Sequence, residues 1–314
     1  MRMLVVGAGS TGGYFGGRLA QAGRDVTFLV RAARAAQLQA DGLQIRSPHG
    51  DFTIKPQLLT ATQIVSPFEI LLLAVKAYSL EAALEDLAAA VGSGTMILPL
   101  LNGMKHVEVL RASFGEQALI GCACKVATIL DAQGRIVQLS ALQEILYGEM
   151  DGSASPRLKQ LDAFMQGAGF DASLSPTIAR EMWEKWVFLA TLGSVNCLMR
   201  GNAGEIRAAP GGLSLVLGIL DEVAAIARAA GVAPRESFLA DVRAALTASG
   251  SALTSSMYRD LQSGGRIEAD QIVGDLLLRG RQSGIATPLL AAAYTHLMVY
   301  QNRLRAAPLK DRPA

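Results

Sequence analysis

Cysteine, histidine and net charge are all scarce in this chain of 314 residues, and each scarcity excludes a class of protein. Three cysteines are an odd number, which favours reduced thiols over a disulfide framework. Cys122 and Cys124 have no histidine nearby, and the three histidines are scattered singly, so we expect no metal site. The formal net charge of +2 gives no reason to expect nucleic acid or an anionic membrane as a partner.

Long apolar runs are also missing, although 51% of the residues are hydrophobic. Runs such as residues 70–75 have the length of a strand and fall short of the about 20 residues that a membrane span needs. We therefore expect a soluble protein. The first residues already read as a strand of the fold and leave no room for a cleavable signal, so we expect a cytoplasmic location.

A glycine-rich turn follows the first strand, in the sequence MLVVGAGSTG of residues 3–12. The apolar run predicts a strand buried on both faces, and the small and apolar residues after the turn predict a helix. In this context a G-x-G-x-x-G run is the fingerprint of dinucleotide binding, whereas alone it is also an ordinary turn of other α/β proteins.

Each glycine of this turn has a physical role in such a site. The first permits the tight turn, the second leaves room for a pyrophosphate, and the third lets the helix pack closely on the strand. The helix N-terminus adds amide N–H groups and a positive dipole end. The predicted cofactor-binding residues of the turn are Gly7, Gly9, Ser10, Thr11 and Gly12.

The end of the second strand, at Arg31, distinguishes between the two nicotinamide coenzymes. An acidic residue there would bind the ribose 2′-hydroxyl of NAD, whereas an arginine pairs with the 2′-phosphate of NADP. Arg31, with Arg34 close behind, therefore predicts NADP (NADPH) as the coenzyme. The alternative is that both are solvated surface arginines.

Strands alternate with helical segments up to residue 175, and only helical periodicity follows. We predict a Rossmann-type, doubly wound α/β sheet in residues 1–175 and an all-helical substrate and catalytic domain in residues 176–314. In the first half we predict a hairpin at 43–46 and 52–55 and separate strands at 136–139 and 144–147. In the second half we predict helices at 178–199, 212–230, 235–248, 255–262, 269–283 and 288–304, before a frayed tail at 306–314.

Three polar residues are candidates for contact with cofactor or substrate. Lys76 emerges at the carboxyl end of a buried strand, where ligands of open α/β sheets bind, although surface lysines also occur there. Asn102 can both donate and accept, but Asn-Gly is also a common turn pair. Lys185 begins an apolar stretch of helix, which suits a partly buried general acid or a side chain that extends to water.

Seven motifs follow one another along the chain: the glycine fingerprint, Arg31, Val75-Lys76-Ala77, Asn102-Gly103-Met104, Trp183-Glu184-Lys185, Ser255-Ser256-Met257 and Ile267-Glu268. In this order they resemble the ketopantoate reductase (2-dehydropantoate 2-reductase) family over nearly the whole chain. The resemblance implies an NADP-binding Rossmann domain, a helical carboxy-terminal domain and an active site in the cleft between them. It also implies NADPH-dependent reduction of a 2-keto acid, which in that family belongs to pantothenate biosynthesis.

The resemblance assigns a role to each polar candidate. Lys185 would protonate the carbonyl oxygen, and Glu268 would orient the lysine and receive a substrate hydroxyl. Ser256 would bind the substrate carboxylate, Asn102 would contact cofactor and substrate, and Lys76 would help to hold both. A semi-buried lysine needs a counter-carboxylate, which Glu268 can supply unless it is a surface glutamate at a helix start.

The departures from the family pattern concern the substrate. The family's catalytic lysine is followed on its helix by asparagines four and eight residues later, where this chain has Leu189 and Gly193. The nearby asparagine is Asn196, and Leu253 replaces another amide before the Ser-Ser-Met run. We expect Leu189, Gly193 and Asn196 to line a more apolar pocket, roomier at Gly193, for a 2-keto acid or another carbonyl compound with a bulkier, less polar side chain.

Two other functions and the oligomeric state have to be considered. A hydroxyacyl-type dehydrogenase would need a His–Glu pair, and His106 and His296 lack that context. A non-catalytic NADPH-binding sensor would not need Lys185 and Glu268, and both are present. The apolar helix at residues 212–230 can pack internally or against a second subunit, so a homodimer stays open.

Overall fold

The computed structural model describes residues 1–306, and the predicted tail at 306–314 lies outside the described residues apart from Ala306, which ends a helix. The chain divides into two compact units. The first comprises Met1–Leu101 and His106–Ala179, and the second comprises Asn102–Lys105 and Arg180–Ala314. The short segment around Asn102 thus groups with the helical part of the chain.

The first unit contains two five-stranded sheets. Its strands are β1 (Arg2–Val6), β2 (Asp25–Leu29), β3 (Leu43–Arg46), β4 (Phe52–Ile54), β5 (Gln57–Leu59), β6 (Ile70–Leu73), β7 (Met96–Pro99), β8 (Gly121–Leu130), β9 (Ile136–Gly148) and β10 (Asp171–Leu174). The helices that accompany them are α1 (Ser10–Gln21), α2 (Ala32–Asp41), α3 (Leu80–Leu87), α4 (Lys105–Phe114) and α5 (Pro156–Met165).

One sheet is entirely parallel, in the order β5-β2-β1-β6-β7. Its central strands are uninterrupted apolar runs, and every residue of β6 is fully buried, as parallel strands covered on both faces require. The chain crosses from β1 to β2 on one side and later returns to place β6 on the other. Ligands of such sheets bind at this reversal, outside the carboxyl ends of the strands. The predicted Rossmann-type fold class is confirmed.

The second sheet has the order β10-β9-β3-β4, with β8 paired to β9. The predicted hairpin is confirmed as the antiparallel pair β3 and β4, which belongs to this sheet. Residues 136–139 and 144–147 are extended as predicted, but the prediction that they form separate strands is wrong, because β9 runs through both ranges. Val126 pairs with Gln143 and Thr128 with Gln138, so residues 139–142 bulge opposite Ala127.

Helix α1 packs against both sheets, and its glycines explain how. Gly12 and Gly16 face the parallel sheet, where a Cβ on Gly16 would lie 2.7 Å from a β1 valine side chain. Gly13 and Gly17 face the other sheet, where a Cβ on Gly13 would lie 2.5 Å from the Ile136 side chain. Glycine pairs four residues apart lie on one helix face, so the two pairs let both sheets approach the helix closely.

The described part of the second unit is helical. Its helices are α6 (Ile178–Met199), α7 (Ala203–Ala208), α8 (Gly212–Ala229), α9 (Glu236–Leu246), α10 (Ser256–Gln262), α11 (Asp275–Gln282) and α12 (Pro288–Ala306), with a π-helical turn over Asp270–Gly274. Sequence reasoning missed α7, whose signal is a capping box between Asn202 and Glu205. It also predicted one uninterrupted helix where the π-helical turn precedes α11.

Internal packing covers one face of α8, whose buried residues include Ile219, Leu220 and Val223. The Glu222 carboxylate on the same helix accepts the backbone N–H groups of Leu289 and Leu290, at 3.0 and 2.8 Å, and so caps the first turn of α12. A homodimer through α8 remains an untested prediction. In residues 1–306 no helix combines the length and the apolar character needed to span a membrane.

Candidate active site

The glycine turn between β1 and α1 has the geometry that its sequence predicts. Gly7 has φ +99°, which only glycine adopts readily, and its N–H donates to the carbonyl of Leu29 in β2 at 3.2 Å. A Cβ on Gly12 would lie 2.3 Å from the Gly7 carbonyl oxygen, whereas a Cβ on Gly9 would have no atom within 4 Å. Gly7 and Gly12 are therefore required by the fold itself, and Gly9 leaves open space beside the turn.

The amino-terminal end of α1 opens onto this space. Gly9 is the residue that precedes the helix. The N–H of Gly13 donates to the Gly9 carbonyl at 2.9 Å and so begins the hydrogen bonding of the helix. Ser10 and Thr11 form the first turn and are partly exposed. Amides at such a helix start are the usual ligands of a phosphate, so this turn fits the pyrophosphate of a dinucleotide.

The two arginines after β2 have different surroundings. Arg31 is exposed at the residue that precedes α2. Arg34 turns inward, where its Nε donates to the Ala8 carbonyl at 3.3 Å and its Nη1 donates to the Gly134 carbonyl at 3.0 Å. Burial lowers the pKa of the Arg34 guanidinium. Arg34 thus braces the glycine turn against the β8–β9 turn, and Arg31 is the arginine that faces solvent.

Lys76 lies at the same sheet edge as the glycine turn. It follows β6, and the backbone beside it is close to the turn, since a Cβ on Gly7 would lie 3.2 Å from the Ala74 carbonyl oxygen. Lys76 is extended and partly exposed, and its carbonyl accepts the N–H of Ser79 at 2.8 Å. Lys76 and the glycine turn thus lie near each other at the carboxyl ends of β6 and β1. The contact of Lys76 with coenzyme or substrate stays a prediction.

In the second unit, Lys185 is partly exposed between buried neighbours on α6. Glu184 is 2% exposed, and its Oε1 accepts the backbone N–H and the Nε–H of Arg235 at 2.8 and 3.0 Å. A further bond joins the Arg235 Nη2 to the second carboxylate oxygen. This hydrogen-bonded carboxylate raises the pKa of Arg235. The glutamate of the Trp-Glu-Lys motif therefore fastens α6 to the start of α9.

The π-helical turn brings three of the predicted motifs together. It starts two residues after Glu268, which is 5% exposed. The Trp186 indole N–H donates to the carbonyl of Ile272 in this turn at 2.9 Å. Gly103, with φ +79°, lies so close that a Cβ would be 2.4 Å from the Gln271 carbonyl oxygen. The segments that carry Asn102, Lys185 and Glu268 thus meet at one irregular turn, a feature common at functional sites.

Asn196 does not line a substrate pocket, and that prediction needs correction. The side chain is fully buried and bonded to backbone at both ends. Its Oδ1 accepts the N–H of Ser255 at 2.9 Å, and its Nδ2 donates to the Gly201 carbonyl at 2.8 Å. Ser255 in turn caps α10, whose first residue is the partly exposed Ser256. Asn196 thus joins α6 to the segment that presents Ser256.

Gly193 does not make the region roomier, so this expectation is also wrong. Gly193 is buried, and a Cβ there would lie 2.8 Å from the methyl carbon of Met257, which is itself 2% exposed. The space beside the glycine is filled by methionine. Leu189, four residues after Lys185 on the same helix face, is partly exposed and remains the apolar candidate for substrate contact.

Sequence reasoning missed Trp186, whose indole bonds to the π-helical turn, and the signal was the rarity of tryptophan. The chain has two tryptophans, Trp183 and Trp186, and both flank Lys185. Their ring centroids are 4.9 Å apart, and the Arg279 guanidinium lies 5.7 Å from each. Arg279 also pairs with Asp275 at 3.1 Å. The lysine is therefore flanked in sequence by two tryptophans whose rings contact each other.

Potential metal ligands are scattered over the described part of the chain, and its cysteines are buried. Among residues 1–306, no three histidine, cysteine or acidic side chains are grouped so that they can hold a metal ion. Cys197 is fully buried, and burial raises the pKa of its thiol to about 12. This thiol stays protonated near neutral pH and is a poor nucleophile.

Family models match both units. The model described as ketopantoate reductase PanE/ApbA matches residues 3–152, and the model of the carboxy-terminal part of the same family matches residues 177–301. The chain belongs to the ketopantoate reductase family. Membership in this family makes it an oxidoreductase by class, and the helical second unit corresponds to the family's carboxy-terminal part.

Individual relatives extend over almost the full chain. The uncharacterized oxidoreductase YkpB of Bacillus subtilis (strain 168) is 33% identical over 301 residues, covering 96% of this chain and 99% of that protein. The crystal structure of 2-dehydropantoate 2-reductase from Geobacter metallireducens GS-15 has a TM-score of 0.86 at 30% identity, covering 95% and 99%. A ternary structure of D-mandelate dehydrogenase with NADH and anilino(oxo)acetate has a TM-score of 0.88 at 20% identity, covering 98% and 100%, and shares the fold.

Proposed function

We propose that this family member reduces a 2-keto acid to a 2-hydroxy acid with NADPH. The observation that carries the proposal is the meeting of the Asn102, Lys185 and Glu268 segments at the π-helical turn of the second unit. Carbonyl reduction needs a proton donor from the protein, and a carboxylate and an amide can orient that donor and the substrate. Family membership supports the reaction class, and the first unit supplies a turn that fits a dinucleotide.

The coenzyme is assigned to the first unit. The glycine turn would hold the pyrophosphate through the amides at the start of α1, and Lys76 would contact the coenzyme nearer its reactive end. Exposed Arg31 would pair with the 2′-phosphate that distinguishes NADP from NAD. When bound, NADPH supplies the hydride that the substrate carbon receives.

The proton is assigned to Lys185. As the carbonyl carbon gains a hydride, its oxygen becomes an alkoxide, and the ammonium group of Lys185 donates the proton that completes the hydroxyl. Glu268 would orient the lysine and accept a hydrogen bond from the substrate. Ser256, which starts α10 and is partly exposed, would bind the substrate carboxylate. Because Glu184 and Trp186 are both bonded, the helix that carries Lys185 is fixed on both sides.

The proposed polarity of the substrate side chain follows from the amide groups that the site lacks. Leu189 stands on the lysine face of α6, and Gly193 is covered by Met257, so neither position offers an amide to a hydroxylated side chain. Asn196 is occupied by backbone groups. A site without these hydrogen-bonding groups gains little from a polar substrate. We therefore propose a 2-keto acid, or another carbonyl compound, whose side chain is less polar than that of ketopantoate.

The test is NADPH oxidation with a panel of 2-keto acids whose side chains are hydroxylated, branched aliphatic or aromatic. NADH is run in parallel, since the D-mandelate dehydrogenase of the same fold was solved with NADH. We expect the highest kcat/KM with an apolar side chain. Ketopantoate as much the best substrate would contradict the proposed side-chain preference but leave the reaction class intact.

A non-catalytic NADPH-binding sensor is the alternative function. It predicts tight coenzyme binding, measured by quenching of the two tryptophans, together with no turnover across the whole panel. The presence of both Lys185 and Glu268 favours the enzyme.

A further inference from the structure

The two tryptophans beside Lys185 are alike in burial and in their distance from Arg279. Both are buried, at 6% and 1% exposure for Trp183 and Trp186, and the Arg279 guanidinium lies 5.7 Å from each ring. The difference is a hydrogen bond, which the indole N–H of Trp186 donates to the Ile272 carbonyl at 2.9 Å. Trp186 is bonded to a residue 86 positions away.

The acceptor of this bond lies in the π-helical turn that follows Glu268. The N–H of Ile272 donates to the Glu268 carbonyl at 3.0 Å, so the tryptophan is joined to Glu268 through a single residue. A π-helical turn departs from the regular α-helical hydrogen-bond pattern, so bonds from outside the turn help to fix it. The indole is one such support, because a buried donor and acceptor that lose each other are costly.

The Asn102 segment rests on the same support. A Cβ on Gly103 would lie 2.4 Å from the Gln271 carbonyl oxygen and 3.7 Å from the Trp186 Nε1. Gly103 therefore packs directly on the turn and on the indole that holds it. A shift of the turn would move Asn102 as well as Glu268.

We propose that Trp186 is a positioning residue, whose indole N–H fixes the π-helical turn to α6 and thereby sets Lys185, Glu268 and Asn102 in their relative positions. The inference rests on the proposed function for its catalytic consequence. Displacement of catalytic groups by about 1 Å costs on the order of 100-fold in rate, whereas substrate affinity depends on more distant contacts as well. Loss of the bond therefore lowers kcat more than it changes KM.

The test compares Trp186→Phe with Trp183→Phe. Each change removes one indole and keeps an aromatic ring, but only the first removes a hydrogen bond to the π-helical turn. We expect Trp186→Phe to lower kcat at least about tenfold with KM for keto acid and NADPH within about threefold. Trp183→Phe is expected to keep kcat within about twofold. Equal losses in the two variants, or an unchanged kcat in Trp186→Phe, would overturn the proposal.

A second measurement does not depend on turnover. Hydrogen exchange followed by mass spectrometry reports the amides of residues 268–276 in the wild-type protein and in both variants. We expect at least about fivefold faster exchange there in Trp186→Phe and wild-type exchange in Trp183→Phe. Unchanged exchange in Trp186→Phe would also overturn the proposal. A wild-type protein without turnover on the whole panel would reject the proposed function, while the exchange rates would still decide whether the indole fixes the turn.

Discussion

The glycine turn of the first unit and the Lys185 segment of the second unit position their functional groups by different means. The turn relies on backbone alone, with Gly7 at φ +99° and an open space beside Gly9. The Lys185 segment relies on side chains, since Glu184 binds Arg235 and Trp186 binds the Ile272 carbonyl. The first kind of site is sensitive to added atoms, and the second is sensitive to lost hydrogen bonds.

The largest effect in this comparison is expected from Lys185→Ala. Removal of a general acid costs about 100-fold to 10,000-fold in rate, so we expect kcat to fall about 1,000-fold. Thermal unfolding is measured in parallel to show that the variant is folded. Steady-state kinetics with the best keto acid of the panel provide the measurement. The control is Lys159→Ala, on the exposed face of α5, which should keep the wild-type kcat. A kcat of Lys185→Ala within tenfold of the wild-type value would show that Lys185 is not the general acid.

The same difference explains which parts of the molecule could be predicted from the sequence. The parallel sheet, the glycine turn and α6 over Ile178–Met199 depend on local patterns, namely apolar runs, glycine spacing and helical periodicity. Those patterns lie within a few residues of the elements that they specify. Prediction therefore succeeded where the structure is determined locally.

The side-chain site could not be predicted in the same way, because its partners are distant in the sequence. Asn196 is bonded to Ser255, 59 positions away, and helical spacing alone could not show that its amide was already occupied. The missing side chain at Gly193 indicated open space, but the Met257 side chain, distant in the sequence, fills that space. The π-helical turn has no periodic signature, since one shifted hydrogen bond does not alter the apolar pattern.

Gly9→Ala tests the backbone site where the fold leaves space. A Cβ at Gly9 meets no protein atom within 4 Å, so we expect thermal stability within about 1 kcal/mol of wild type. The methyl group would occupy the space assigned to the pyrophosphate, and NADPH affinity should fall about tenfold to 100-fold. Titration calorimetry measures the affinity. Gly94→Ala, which also meets open space, should leave both quantities unchanged; wild-type NADPH affinity in Gly9→Ala would place the pyrophosphate elsewhere.

Arg31→Ala tests a side chain of the first unit, whose proposed coenzyme site otherwise consists of backbone groups. An exposed arginine paired with a phosphate contributes about 1–2 kcal/mol, so we expect the preference for NADPH over NADH to fall about tenfold. The ratio of kcat/KM for the two coenzymes measures this preference. Arg207→Ala, an exposed arginine of the second unit, is the matched control. If Arg31→Ala keeps the full preference, Arg31 is a solvated surface residue and the coenzyme assignment fails.

The smallest expected effect is on the free energy of unfolding. Its dependence on pH distinguishes an ion pair of the first unit from a hydrogen bond of the second. In the first unit, the Arg157 guanidinium donates to Glu149 at 2.7 Å and holds the pKa of that carboxyl below its ordinary value. A lowered pKa in the folded state stabilises the fold above the unfolded value of about 4.3, and this contribution disappears as the pH falls through the folded-state pKa. We expect Glu149→Gln to reduce the free energy of unfolding by about 1–2 kcal/mol at pH 7.

Urea titrations from pH 7 to pH 3 measure this contribution, with Trp186→Phe as the comparison. The difference between wild type and Glu149→Gln should begin to shrink below about pH 4.3, where the unfolded wild type takes up a proton at this carboxyl. It should vanish below the lower folded-state pKa, where both folded proteins carry an uncharged group at this position. The difference between wild type and Trp186→Phe should persist, because an indole N–H bonded to a backbone carbonyl has no group that titrates in this range. A Glu149→Gln effect that is independent of pH would mean that packing, rather than charge, makes this residue stabilising.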